Sequence, residues 1–205
     1  MSTFKGWNII SMPASPSPRS IEWNAQDVVA ANTNPFTGGQ QFYDWQAAWL
    51  ECQITMPPLT NDQAQEWIAF LMQAQGMANV FQFGDPLVTA PKVASGSPVV
   101  HGANQTGRQL ITAGWDISGD SYSIAPGDWI QIGYRLYRSL SWQTPDGSGI
   151  ATLDIWPPLR ESPANGDGIT IANTKGLFRL AANQRKWSVD QTLVYGLSFS
   201  LREAL

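Results

Sequence analysis

The single histidine, His101, is the side chain best suited to acid–base chemistry near neutral pH. It lies in a Gly- and Asn-containing stretch, Val99 to Gly107, with no GxSxG elbow and no candidate partners for a catalytic triad. We therefore interpret His101 as a solvated loop residue. The chain also lacks an HExxH motif, and Gly102 and Gly107 are not followed by the Lys-Ser/Thr pair that a phosphate-binding loop needs.

The carboxylates are the next candidates, because two of them in one cleft could hydrolyse a glycosidic bond. In this sequence they occur singly and in turn-like contexts, which favours a role in turn formation. These residues are Asp116, Asp120, Asp128, Asp146, Asp154 and Asp167. The WDISGD segment that holds the first two lacks the DxDxDG order of a calcium-binding EF-hand.

The single cysteine, Cys52, excludes an internal disulfide and a metal site built from several cysteines. It falls on the apolar side of an alternating strand, and we interpret it as a small core residue and not as a nucleophile. From these observations we expect no enzymatic activity, no cofactor and no bound metal.

Aromatic and basic residues share strands in the second half of the chain. The group consists of Arg135, Arg138, Arg160, Tyr134, Tyr137 and Trp142. A face of this kind could stack the bases of a single-stranded nucleic acid. Alternatively, exposed rings could form a contact platform for a glycan or a partner protein, and the candidate residues for this are Trp115, Trp129, Tyr134 and Trp142.

Charged residues make up 14% of the 205-residue chain, against roughly 25% in a usual soluble domain. Tryptophan is abundant, at 10 residues. This composition fits a protein that hides much of its surface in an assembly, since the centres of interfaces lose charge and gain aromatic residues. It fits a β domain with a Trp-filled core equally well. The net charge of −4 argues against phosphate-backbone binding as the main function, because such binding requires clustered Lys and Arg.

No run of about eighteen apolar residues is present, so we expect no membrane insertion. The N-terminus lacks the basic region and apolar run of a signal peptide. We therefore expect the protein to be made and assembled in the cytoplasm of the cell that synthesises it.

One stretch predicts both a strand and the only convincing helix. Residues 49–56 alternate between apolar and mostly polar side chains, which is typical of a half-buried strand. Pro57 and Pro58 then end the ladder. Thr60 and Gln63 have the spacing of a capping box, and apolar residues at helical spacing follow, so we predict an amphipathic helix at about 60–75 packed on a sheet. Gly76 is a suitable residue for the C′ position.

The rest of the chain is predicted to be mainly β. Residues 88–175 are dense in Gly, Pro, Ser, Asp and Asn, with short apolar runs about ten residues apart, which indicates a small β-barrel or sandwich. Residues 193–201 alternate strictly and are predicted to complete the first sheet. We therefore predict a discontinuous first domain, 1–87 with 176–205, and an inserted second domain, 88–175.

Several segments, taken in their order along the chain, resemble one known family. They are SPSPRSIEW, WLECQITMPPLTNDQAQEWIAFLMQAQG, FQFGDP, APGDWIQIG followed by LDIWPPLR, and KGLFRLAANQRKWSVDQTLVYGLSFSLREAL. This pattern resembles the distal tail proteins of long-tailed bacteriophages, also described as tail-tip or minor tail proteins. The resemblance covers nearly the whole chain and rests on the order of the segments, since no single motif is diagnostic.

The resemblance implies a tail-tube-like β-sandwich with one flanking helix and an inserted OB- or galectin-like barrel. It also implies a structural protein of the virion, located at the tail tip or baseplate, in which six copies form a ring. The ring would join the tail tube protein to the tail hub protein, and DNA would pass through its lumen without specific binding. The outer barrel would hold fibres or receptor-binding proteins. The family has no catalytic residues to transfer to this chain.

Overall fold

The computed structural model describes residues 2–93, 96–118, 122–191 and 193–205. These residues form fourteen β-strands and one α-helix, so the predicted class, mainly β with one short helix, is confirmed. Of the aspartates considered above, Asp120 lies outside the described residues. The elements are, in chain order, β1 Ser2–Phe4, β2 Trp7–Ile10, β3 Ser20–Thr33, β4 Gln40–Thr55, α1 Asn61–Gln73, β5 Val80–Phe83, β6 Gly96–Val100, β7 Gly107–Trp115, β8 Trp129–Ile132, β9 Arg135–Ser139, β10 Ala151–Leu159, β11 Ile169–Thr170, β12 Gly176–Leu180, β13 Trp187–Val189 and β14 Tyr195–Glu203.

The chain divides into two compact units. The first contains the residues up to Gln26, Trp49–Phe83 and Leu177–Leu205, and the second contains Asp27–Ala48 and Gly84–Gly176. The second unit therefore includes the segment expected as an insertion at 88–175. It also includes residues 27–48, which the sequence analysis assigned to the first domain.

The first unit is built on a sheet with the strand order β1-β2-β5-β12-β14-β4-β3, and β13 pairs separately with β14. The C-terminal strand β14 lies between β12 and β4, with Leu201 opposite Cys52. It begins at Tyr195, two residues later than the alternation predicted. The reason is that Leu193 lies in the turn that joins β13 to β14, with a φ of 60°.

Helix α1 packs its apolar stripe onto this sheet. Trp67 meets Phe199 of β14 and Phe70 meets Phe81 of β5, with ring centroids 5.9 and 5.0 Å apart. Aromatic pairs at such distances add to the stabilisation that burial provides. The capping box forms as predicted, since the backbone N–H of Thr60 donates to Gln63 Oε1 at 3.2 Å.

The C-terminal end of α1 differs from the prediction. The helix stops at Gln73, and Ala74 is the C-cap residue. Gln75, with a φ of 49°, occupies the left-handed C′ position, and Gly76 follows it with a φ of 68°. The predicted left-handed residue, Gly76, is therefore one position too late; glycine is the usual residue at C′, but here Gln75 takes that place.

The second unit contains a six-stranded sheet with the order β11-β8-β9-β10-β7-β6. Its two end strands meet, because Val99 of β6 bridges to Gly168 and Val100 N donates to Asp167 O at 2.9 Å. The sheet is therefore a nearly closed barrel. Its interior is filled by fully buried aliphatic side chains, among them Leu110, Ile130, Leu153 and Ile155.

We predict that Gly84→Ala destabilises the second unit. A Cβ atom at this position would collide with the carbonyl oxygen of Thr174, which is backbone and cannot rotate away. Forcing an added carbon into such a site costs about 1–3 kcal/mol in the free energy of unfolding. Urea denaturation followed by tryptophan fluorescence measures this change.

Gly147→Ala is the matched control, because nothing lies within 4 Å of the Cβ it would add. We expect this control to unfold within about 0.5 kcal/mol of the unchanged protein. If Gly84→Ala were as stable as Gly147→Ala, the close packing of residues 84 and 174 would be wrong.

Candidate functional site: an exposed β arm

Four of the five described carboxylates considered for catalysis accept hydrogen bonds in turns. Asp128 is buried, and its carboxylate accepts hydrogen bonds from Ala125 N at 3.1 Å and Lys92 N at 3.3 Å. Asp116 accepts from Ser118 N at 2.9 Å, and this bond holds the pKa of Asp116 below its ordinary value.

Asp146 and Asp167 behave in the same way. Asp154 differs, because it lies in strand β10 and accepts a hydrogen bond from the Ser141 hydroxyl at 2.9 Å, so its predicted role in a turn is wrong. Asp146 accepts from Ile150 N and Ser148 N, which lowers its pKa. Asp167 accepts from Ala164 N at 2.8 Å. Among the described residues, no group of three or more His, Cys, Asp or Glu side chains could hold a metal ion. His101 is exposed in the loop after β6.

Cys52, the single cysteine of the chain, is buried. Its side chain is only 2% exposed on the inner side of β4. Burial disfavours the charged thiolate and raises the pKa of the thiol from 9.0 to about 12. Since the thiolate is the reactive form, Cys52 is an inert core residue in the folded protein.

The four aromatic residues predicted to contact a glycan or partner do not form one platform. Trp115 and Trp129 are buried, with exposures of 4% and 2%, and Tyr134 is half-buried. The Trp115 ring nitrogen donates to Thr112 Oγ1 at 2.7 Å inside the barrel. Only Trp142 is exposed, and it forms a pair with Tyr122 at a centroid distance of 4.7 Å.

The arginines near these rings are also engaged within the second unit. The Arg138 guanidinium lies 4.0 Å from the Trp129 ring centroid and donates to Gly127 O. Arg135 is buried and pairs with Glu161 at 2.9 Å. Arg160 donates to the carbonyl oxygen of Ala48. Arg135 and Arg138 are therefore engaged within the unit. The aromatic–basic face predicted to bind single-stranded nucleic acid has no free cation at either position.

A different surface stands out: the distal parts of β3 and β4, residues 27–48, which we call the arm. The two strands pair with each other, and residues 34–39 close the hairpin between them. Asn34 organises this turn, since its backbone exchanges hydrogen bonds with Gly38 and Gly39 and its Oδ1 accepts from Phe36 N at 2.9 Å. The arm is therefore a regular two-stranded ribbon with a well-formed tip.

The arm exposes large apolar side chains to solvent. The exposed fraction is 95% for Phe36 at the tip and 70% for Trp45, and the other members of the set are Val29, Phe42 and Tyr43. Phe42 and Tyr43 are consecutive in the strand, so their side chains point to opposite faces of the ribbon, and Trp45 points to the same face as Tyr43. Five exposed large apolar side chains on one short ribbon make the arm the candidate interaction surface of the described chain.

Polar contacts hold the arm at defined points within the second unit. Asp27 accepts from the Trp156 ring nitrogen at 2.9 Å, and Asp44 pairs with Arg108 at 3.2 Å. Near the base, Ala48 O accepts the bond from Arg160 described above. These contacts fix the direction of the ribbon while its aromatic side chains remain in water.

The arm was not among the sites predicted from the sequence. The available signal was the pattern QQFYDW, in which aromatic residues fall on consecutive positions and not on alternate ones. A half-buried strand would place its aromatic residues on one face only. The pattern of apolar residues on both faces of a strand would have indicated a two-stranded ribbon whose faces are both exposed. In this segment the apolar residues are flanked by Asn, Gln, Thr and Gly.

Neither a scan against protein-family models nor a search of curated protein sequences finds a match to this chain. Within the described residues, no helix has the length and apolar character needed to cross a membrane.

We predict that the thiol of Cys52 makes the stability of the protein fall at high pH. Its pKa is raised in the folded state, so its contribution is fully present below about pH 9 and is lost as the pH rises towards 12. Between pH 8 and pH 10, the unchanged protein should lose about 1.4 kcal/mol more unfolding free energy than Cys52→Ala. Urea denaturation at both pH values measures this difference.

The Cys52→Ala variant shares every other titrating group, so its own pH dependence is the baseline. Equal losses in the two proteins would show that the thiol is not buried as described. A thiol reagent should label Cys52 only at the rate at which the protein unfolds.

Proposed function

We propose that this chain is a ring-forming distal tail protein of a long-tailed bacteriophage, a structural protein of the virion. In this proposal six copies surround a lumen at the tail tip and join the tail tube protein to the tail hub protein. The first unit would be the tail-tube-like β-sandwich with its flanking helix, and the barrel of the second unit would be the OB- or galectin-like outer domain that carries fibres or receptor-binding proteins.

The exposed arm is the observation that carries this proposal. A two-stranded hairpin alone is at best marginally stable in water, and its aromatic side chains gain free energy only when another surface covers them. A neighbouring copy of the same chain is the simplest source of that surface in a symmetric ring. Phe42, Tyr43 and Trp45 are then the residues that the next subunit would cover.

The charge distribution agrees with a pore through which DNA slides. The solvent-facing side of β4 and β14 carries the uncharged polar residues Gln53, Thr55, Ser198 and Ser200. The charged pair on the same side, Arg202 and Glu51, is mutually neutralised at 3.5 Å. Two further cations, Arg185 and Lys186, border Gln53, Ser198 and Ser200. With so few cations this surface would gain little from counterion release and so would not retain DNA.

Light scattering and negative-stain imaging of the purified protein test the ring. Six chains of 22.5 kDa give a particle of about 135 kDa, and we expect annular particles with sixfold symmetry. Replacing Tyr43 and Trp45 with Ser removes much of the apolar surface of the arm and should shift the particle to the monomer mass. The matched control is Trp142→Ser, which removes an exposed tryptophan outside the arm and should leave the ring intact.

A monomer at the highest concentration that the protein tolerates would contradict the proposal. A ring that survives the double replacement would contradict the role of the arm. Circular dichroism of each variant shows whether the fold is retained.

A second candidate function, a glycan- or receptor-binding module, is favoured by one observation. Tyr122 and Trp142 form an exposed aromatic pair on the barrel, and both rings are close to half exposed. Next to Trp142, the hydroxyl of Ser141 donates to Asp154 at 2.9 Å, and the amide of Gln143 donates to Ser141 Oγ. Apolar rings beside oriented polar groups are what a sugar-binding surface requires.

Binding of the purified protein to a broad glycan array tests this alternative. If it is correct, Trp142→Ala should abolish the signal because the ring that stacks on the sugar is lost, whereas Trp45→Ala in the arm should not change it. Absence of signal on the array, or equal signals for the two variants, would reject the glycan site.

A further inference from the structure

The first sheet is interrupted along one edge of β14. Strand β12 pairs with β14 near its C-terminal end, where Leu180 lies opposite Leu201. Strand β13 pairs with the other end of β14, where Trp187 lies opposite Leu197. Between these pairings, residues 181–186 form a connection that leaves the ladder after Ala181 N donates to Ser200 O at 2.9 Å. The interruption creates a cleft in the first unit, which we call the β12–β13 cleft.

The β12–β13 cleft consists of two adjoining cavities of about 290 and 450 Å³. Lys186 and Ser198 line both of them, so the two cavities share one wall. The remaining lining combines apolar side chains, such as Leu180, with hydroxyl and amide groups, such as Gln184. Among the described residues, no carboxylate lines either cavity.

The charge of the cleft is opposite in sign to that of the chain as a whole. Arg185 and Lys186 lie side by side at its rim, whereas the chain carries a net charge of −4. Arg185 is held in place because its guanidinium donates to Leu71 O, near the C-terminal end of α1, at 3.3 Å. Lys186 is exposed. An anionic group in the cleft could therefore contact two cations, Arg185, which is held in place, and Lys186, which is free to adapt its position.

The cleft borders a free strand edge. In the described part of the chain, β13 pairs only with β14. Asp190 N donates to Val194 O, so the backbone groups of residues 188 and 190 point towards β14. The N–H and C=O groups of Trp187 and Val189 consequently point outward. Their side chains are 39% and 50% exposed.

From these observations we infer that the β12–β13 cleft is a docking site for an extended, acidic peptide segment of a partner protein. The segment adds as a strand to the outer edge of β13, and its carboxylates reach Arg185 and Lys186. Main-chain hydrogen bonds supply the general affinity in strand addition, while charge and side-chain pockets supply selectivity. The inference does not depend on ring formation.

A peptide fits the cleft better than a nucleic acid does. Among the described residues only two cations line the cleft, so a nucleic acid would gain little free energy from counterion release, and the lining also includes apolar side chains such as Leu180 and Phe199. The outward backbone groups of β13 are spaced for another strand and not for phosphates.

Fluorescence anisotropy with the full chain tests this inference. The probe is a labelled peptide of about eight residues in which Val and Glu alternate, so that one face is acidic when it is extended. We expect it to bind the unchanged protein and to bind Lys186→Glu about tenfold or more weakly, because a repulsive charge replaces an attractive one. Lys175→Glu makes the same charge change in the second unit and should bind the peptide as the unchanged protein does.

Val189→Pro tests the added strand separately. It removes an outward N–H without touching the bonds between β13 and β14, so it should weaken binding of the same peptide while the circular dichroism spectrum is retained. If this variant does not fold, Lys186→Glu still decides the question.

Three results would overturn the inference. They are no binding of the Val/Glu peptide to the unchanged protein, equal binding to Lys186→Glu and Lys175→Glu, and tighter binding of a Val/Lys peptide or a single-stranded oligothymidine. The last result would assign the cleft to another ligand. Light scattering of Lys186→Glu reports the oligomeric state independently, so failure of the peptide site is distinguishable from failure of the ring.

Discussion

A two-stranded β ribbon has no interior, and this constraint governs the arm. In the first unit, β4 is covered on one side, and Leu50, Cys52 and Ile54 are buried there in strict alternation. Further towards its N-terminus the same strand has only β3 beside it, and both faces meet solvent. Strand pairing satisfies the backbone in both regions, so the fold can form without covering the aromatic side chains of the arm. The uncovered surface is then available to another molecule.

The change between the two regions of β4 occurs at Gln46. This residue has a φ of 55°, a conformation that non-glycine residues seldom adopt, and its N–H donates to the Asp44 carboxylate at 2.8 Å. A single residue in this conformation changes the direction in which the following side chains point. Asp44 also pairs with Arg108 of β7, so one carboxylate both supports the irregular residue and anchors the arm.

The sequence predicted those parts of the fold that depend on local periodicity. Helix α1, its capping box and the short strands of the barrel each follow from spacing over fewer than about fifteen residues. The full length of β3 and β4 could not be predicted in this way, because a segment exposed on both faces shows no alternation of apolar and polar residues. The burial of Trp115 was also not predictable from alternation. The in–out alternation of β7 breaks at Gly114, which has a φ of 86°, so that Trp115 lies inward where alternation would have placed residue 114.

Composition alone left two interpretations of the tryptophans open, a Trp-filled core and a covered assembly surface. The structure has tryptophans in the core and tryptophans exposed to solvent. Trp67, Trp115 and Trp129 are buried, and they account for part of the core of each unit. Three others, at positions 45, 142 and 187, are exposed.

A singly exposed tryptophan on a protein surface would need no explanation. Each of these three, however, has another exposed apolar residue close to it in the fold. Trp45 follows Tyr43 on the arm, Trp142 contacts Tyr122 on the barrel, and Trp187 shares the free edge of β13 with Val189. Burying such a pair gains more free energy than burying an isolated residue, because one partner covers the apolar area of both residues at once. The low charge and the high tryptophan content therefore have one physical explanation at the surface. The surface carries several separate apolar areas, and each would gain free energy if another molecule covered it.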